Sequence, residues 1–179
     1  MRVALQNASL ALALALGGGG CTTRSQPASA NFGLGRPASA ADVAAWDISV
    51  TPDGQGLPPG GGSVAQGATL YQTRCAECHD TPVAPQLWGG RGTLTKVFPQ
   101  KTVGSYWPYA TTLFDYIRRA MPPKAPQSLS APQIYALCAY ILAQSGIVPN
   151  AAVLDRTTLP QIRMPNRSGF FASDGKPDT

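Results

Sequence analysis

Cys75-Ala76-Glu77-Cys78-His79 places two thiols three residues apart and an imidazole directly after the second. On one helical turn both sulfurs can add to the vinyl groups of a single haem, and the next residue then lies under the iron. C-x-x-C-H is therefore read as a c-type haem attachment site. Closely spaced cysteines also serve as redox pairs or as half of a zinc site. Zinc needs about four ligands, yet His79 is the only histidine here. The other cysteines are Cys21, behind an apolar leader, and Cys138, inside a helical pattern. The expectation is one covalent haem c held through Cys75 and Cys78, with His79 as proximal iron ligand.

With that imidazole spent, the opposite axial position falls to Met, Lys, Cys, Tyr or solvent. Met121 in A-M-P-P is the favoured distal ligand, because it stands at an expected helix end between His79 and the last helix. A thioether is soft and neutral, and His/Met ligation raises the haem potential. The plainer reading of Met121 is a core residue filling space. Met164, in R-M-P-N-R, is its rival, and Lys124 or an open site completes the alternatives.

These residues need elements to position them. A chain of 179 residues fits one modest domain with extensions, and its 19 Gly and 17 Pro imply much irregular structure. No segment sustains period-two alternation, so the fold class is mainly α. A first helix is expected from Ser63, as N-cap, to Cys75, with Val64, Gly67, Ala68, Tyr71 and Cys75 on one face. A second follows Pro108 through Leu113, Tyr116, Ile117 and Ala120 and stops at Pro122-Pro123. The third starts at Ser130 and carries Ile134, Leu137, Cys138, Ile141 and Leu142 as far as Gly146.

Around that core the expected organisation is a signal peptide at 1–20, a flexible tether at 21–45, a monohaem domain at 46–146 and a wrapping extension at 147–179. The leader pairs Arg2 with a Leu/Ala run, as export signals do, and the run is shorter than the roughly 20 apolar residues a spanning helix needs. Cys21 after four glycines looks like a lipoprotein acceptor, although Gly18 occupies a place usually held by a branched aliphatic residue. The protein is thus expected in the periplasm, soluble or anchored through Cys21. The domain opens with an irregular arm, 46–62, anchored by Trp46 and Ile48. In the extension, Met164, Phe170 and Phe171 are anchors or contacts for another subunit. Tyr106, Trp107 and Tyr109 pack against the haem or line an electron entry surface. Arg118 and Arg119 bind propionates or an acidic partner, or form a solvated helix end. Cys138 is buried and inert.

The formal net charge of +5 is small and dispersed, and no nucleic-acid motif accompanies it. It suits docking to an acidic redox partner. No second histidine and no carboxylate pair suggests acid–base work, which points to electron transfer rather than catalysis.

Gly67 and Tyr71, eight and four residues before Cys75, together with Leu137 and Tyr140 on the last helix, resemble the class I cytochrome c fold. The resemblance implies that these residues mark the crossing of the terminal helices. It also likens P-Q-L-W-G, Pro85 to Gly89, to the loop whose proline carbonyl receives the proximal imidazole N–H. W-D-I-S-V-T-P-D-G-Q-G-L-P, K-T-V-G-S-Y-W-P-Y-A-T-T-L-F-D-Y-I-R-R-A-M-P and M-P-N-R-S-G-F are similar to the cytochrome subunit of the Sox sulfane dehydrogenase and of molybdenum sulfite dehydrogenases. The sulfane dehydrogenase subunit can carry a second haem domain, whereas this chain has one C-x-x-C-H. The resemblance implies an electron carrier between a molybdenum subunit and a downstream periplasmic cytochrome or oxidase. The alternatives are a free-standing carrier for another dehydrogenase or oxidase, or a gas sensor or peroxidase with an open iron.

Overall fold

The computed structural model describes residues 34–171 and 173. The expected signal peptide, Cys21 and the first half of the tether lie outside the described residues. The chain divides into Met1–Pro37 and Ala38–Thr179, and the second unit holds all the elements below.

Two helices form the frame. α2, Val64–Arg74, begins in a reciprocal cap in which Gln66 N–H donates to Ser63 Oγ and Ser63 N–H donates to Gln66 Oε1. α6, Ala131–Gln144, is capped the same way by Ser130 and Gln133, with Pro132 in its first turn. They cross where Gly67 meets Ala136: a Cβ on Gly67 would overlap the Ala136 carbonyl oxygen. Tyr71 and Tyr140 close over that crossing with ring centroids 5.2 Å apart. α5, Ala110–Ala120, packs against α6 through Leu113, Phe114 and Ile117, all buried. Phe114 meets Tyr135 at 4.6 Å. α6 presents apolar residues on nearly every side, as a helix enclosed by the fold must.

Smaller elements tie the periphery to this frame. α3, Ala76–His79, and α4, Val103–Tyr106, are single turns, the latter capped by Thr102. Among the described residues two short strands pair antiparallel, β1, Gly61–Ser63, against β2, Val153–Asp155, joining the end of the arm to the start of the extension. Three residues are too few to show an alternation, which is why the sequence pattern does not reveal them. The extension then buries Leu154, Leu159 and Met164. Phe170 reaches the Tyr106 ring at 5.2 Å, while Phe171 is exposed.

The N-terminal region departs from expectation twice. A helix, α1, Ala40–Trp46, occupies the end of the stretch expected to be a flexible tether, because Ser39 and Asp42 form a capping box ahead of an Ala-rich run. Trp46 is not an anchor: it is 83% exposed. The arm is instead held by hydrogen bonds. Val50 N–H donates to Asp115 Oδ1 (2.9 Å), Arg118 Nη1 to the Ile48 carbonyl (3.3 Å), and Tyr135 Oη to the Pro58 carbonyl (2.8 Å). Leu57 adds an apolar contact to the core. Arg118 and Arg119 thus serve the arm, since Arg119 pairs with Asp115 and reaches Ser49 Oγ.

Candidate haem site

α2 ends at Arg74, and the chain turns directly into α3. Cys75 caps the end of α2, and its carbonyl accepts from both Cys78 N–H (3.1 Å) and His79 N–H (3.0 Å). This one turn holds both thiols and the imidazole on a single rigid corner. Cys75 and Cys78 are free, partly buried thiols. Burial pushes the Cys75 thiol up to about 11, so the neutral form is favoured in this setting.

The loop after His79 returns beneath the imidazole. His79 Nδ1 lies 2.8 Å from the Pro85 carbonyl oxygen. A carbonyl only accepts, so Nδ1 carries the proton and Nε2 keeps its lone pair for a metal. The loop is fixed along its length: Tyr71 Oη donates to Asp80 Oδ1 (2.7 Å), Val103 N–H to the Leu87 carbonyl (3.2 Å), and Thr102 Oγ1 to the Gly89 carbonyl (2.8 Å). Trp88 stacks beside the helix crossing, 5.1 Å from Tyr71 and 5.9 Å from Tyr140. Burial and the Asp80 carboxylate push the Tyr71 hydroxyl well above its ordinary value, so it stays a donor.

A cleft of ≈ 850 Å³ opens beside His79, lined by Pro82, Leu87, Trp88 and Gln100 among others. Met121 lies at the C-cap of α5, partly buried against the core, and does not line this cleft. Met164, its rival, is fully buried in the core. The structure therefore brings Cys75, Cys78, His79 and Pro85 together, and places Met121 at the end of a separate helix. Asp80 and Trp88 belong to the site although sequence reasoning does not single them out. Their signal is weak: an Asp after the motif and a Trp in a loop acquire meaning only when α2 and α6 bring Tyr71 and Tyr140 to them.

Cys138 has no exposed surface, and desolvation pushes its thiol up strongly, which keeps it protonated and unreactive. Among the described residues no group of three or more His, Cys, Asp and Glu could hold a bare metal ion. Two thiols on one turn and a histidine with a free Nε2, beside a cleft whose apolar walls include Pro82, Leu87 and Trp88, fit haem c. This is the fold of a class I c-type cytochrome, a carrier of covalent haem c that transfers electrons.

A family model described as cytochrome c oxidase, cbb3-type, subunit III matches residues 62–141. In the solved crystal structure of the sulfane dehydrogenase SoxCD from Paracoccus pantotrophus, a chain matches at 44% identity and a TM-score of 0.75. The match covers 80% of this chain and 73% of that one. No curated protein sequence matches. The chain belongs to the family of Sox-type cytochrome subunits. Among the described residues no helix is long and apolar enough to cross a membrane.

Proposed function

We propose that this chain is the periplasmic, electron-accepting subunit or partner of a molybdenum sulfite or sulfane dehydrogenase. In this reading residues 1–20 are removed as an export signal that leaves Cys21 lipidated, or the cut falls nearby and Cys21 is removed or left free. Residues 46–146 act as a monohaem domain. The observation that carries the partner role is the 44% identity to a chain of SoxCD over most of both chains.

Bound haem c supplies a one-electron iron couple. Cys75 and Cys78 hold it as thioethers on the α2–α3 corner. His79 would ligate the iron through Nε2, oriented by the Pro85 carbonyl, which fixes the tautomer and raises ligand basicity. Met121 would supply a second iron ligand as a neutral sulfur. The rings of Tyr71, Trp88 and Tyr140 pack together beside that corner, where they would limit its movement around a bound haem. With its single histidine committed to the metal, the chain has no further histidine to serve as a base in the partner's reaction.

The surface around the cleft supports docking of an acidic partner. From Thr81 to Phe114 the sequence holds Arg91, Lys96 and Lys101 and no carboxylate. Val97 and Phe98 are almost fully exposed beside Lys96. The base of this loop is tied to the cleft, where Gln100 Nε2 donates to Gln86 Oε1 at 2.6 Å. An apolar tip among cations matches a negatively charged docking face.

Purification from the native host, with metal analysis and substrate-dependent reduction of the haem, tests this reading. Co-purification with molybdenum, and reduction by sulfite or thiosulfate only when the second subunit is present, is the expected result. Reduction by either substrate with the isolated chain alone would overturn it.

A further inference from the structure

Among the described residues, Nη1 of Arg167 is buried and has no hydrogen-bond partner. A guanidinium does not lose its proton, so a donor left unmet there keeps the full cost of its desolvation. The arginine is held in place by its surroundings. Its Cζ lies 4.0 Å from the centroid of the Tyr109 ring, and its backbone N–H donates to the Met164 carbonyl (3.1 Å). The preceding residue, Asn166, donates from Nδ2 to the Tyr106 carbonyl at 2.8 Å, and Arg163 bridges to Tyr109 through the backbone.

That strip, Tyr106 to Tyr109, connects the two halves of the site. On one side Thr102 and Val103 bind the Leu87 and Gly89 carbonyls of the loop beneath His79. On the other, Tyr109 leads into α5, which ends ahead of Met121. The charged side chains along the strip are cations as well. Arg163 stands on the same segment as Arg167, and Lys101 Nζ sits 4.8 Å above the Tyr106 ring.

A buried donor on a planar fork, among further cations, calls for an anion with paired oxygens. We infer that Arg167 donates to a propionate carboxylate of the haem. A carboxylate matches the planar guanidinium in shape and charge, and the propionates are the anionic edge of haem c. The inference rests on haem c being carried at Cys75–His79. It assigns the M-P-N-R segment of the extension to cofactor binding, with Arg167 as a positioning residue.

The test uses holoprotein from a maturation-competent host, comparing wild type with Arg167→Gln and Arg167→Lys. Mass and haem content are read first, then the midpoint potential. Arg167→Gln should keep its covalent haem yet lose at least about threefold in the equilibrium for reduction, ~28 mV at 59 mV per decade for one electron. Full haem content with an unchanged potential overturns the inference. Redox-difference infrared spectra of Arg167→Lys give a second arm: propionate bands displaced from wild type are expected, and coincident bands overturn the assignment. Colourless wild-type protein would instead sink the haem reading beneath it.

Discussion

Gly67 on α2 lies against the backbone of Ala136 on α6, so closely that an added Cβ would overlap the Ala136 carbonyl oxygen and crowd Tyr140 Cβ. Helix propensity alone would favour alanine at this position by up to about 1 kcal/mol. The overlap is with backbone rather than a flexible side-chain end, so the helices would have to separate. Gly67→Ala is therefore expected to destabilise the holoprotein by about 1–3 kcal/mol. Denaturant unfolding checks this, and an unchanged or raised midpoint would contradict the close crossing.

Asp115 joins the arm to α5 by accepting from Val50 N–H while pairing with Arg119. The ion pair is at the surface and contributes little by itself. Loss of the acceptor for a backbone amide matters more. Asp115→Ala should release the arm locally by about 1 kcal/mol, giving roughly fivefold faster hydrogen exchange at Val50. Exchange in α6 should stay unchanged; equal acceleration there would mean that the arm and the core open together.

What is legible in the sequence is whatever rests on local chemistry. The C-x-x-C-H corner, the Ser63 and Ser130 caps and the proline stop after Met121 each depend on neighbours within a few residues. Trp46 misleads because a large aromatic suggests an anchor, whereas the arm is held mainly through backbone groups that any residue supplies. Arg118 and Arg119 are ambiguous in sequence for a related reason: beyond the i,i+4 pair of Arg119 with Asp115, their partners Ile48 and Ser49 are set by how the arm lies on α5. Tyr71 and Tyr140 are picked out by the family resemblance, whereas Trp88 joins them only through the tertiary crossing.

Asp155 ends β2, and its Oδ1 accepts from the backbone N–H groups of Thr157 and Thr158 and from both their hydroxyls. These donors, the Thr157 hydroxyl foremost, hold the carboxyl down at about 2 from 3.8. A depressed pKa contributes stability that is present above the unfolded value and is lost as pH falls through the folded one. Stability should therefore decline between about pH 4 and pH 2, with a shallower decline in Asp155→Asn. Superimposable acid limbs for the two proteins would rule out this contribution.

Met121 and Met164 make opposite predictions from their positions. Met121 is the partly buried C-cap of α5, whereas Met164 is enclosed in the core. If Met121 supplies the distal sulfur, Met121→Ala loses the weak far-red ferric band, lowers the potential, and lets the ferrous protein take up carbon monoxide. Its cost in stability should be modest for a partly buried side chain. Met164→Ala should do the reverse, keeping the spectrum while losing about 2–5 kcal/mol from the cavity it leaves. Spectra and unfolding curves of both variants separate ligation from packing. An unaltered spectrum in Met121→Ala would transfer the ligand role to Met164 or Lys124, and a spectral change in Met164→Ala alone would settle it on Met164.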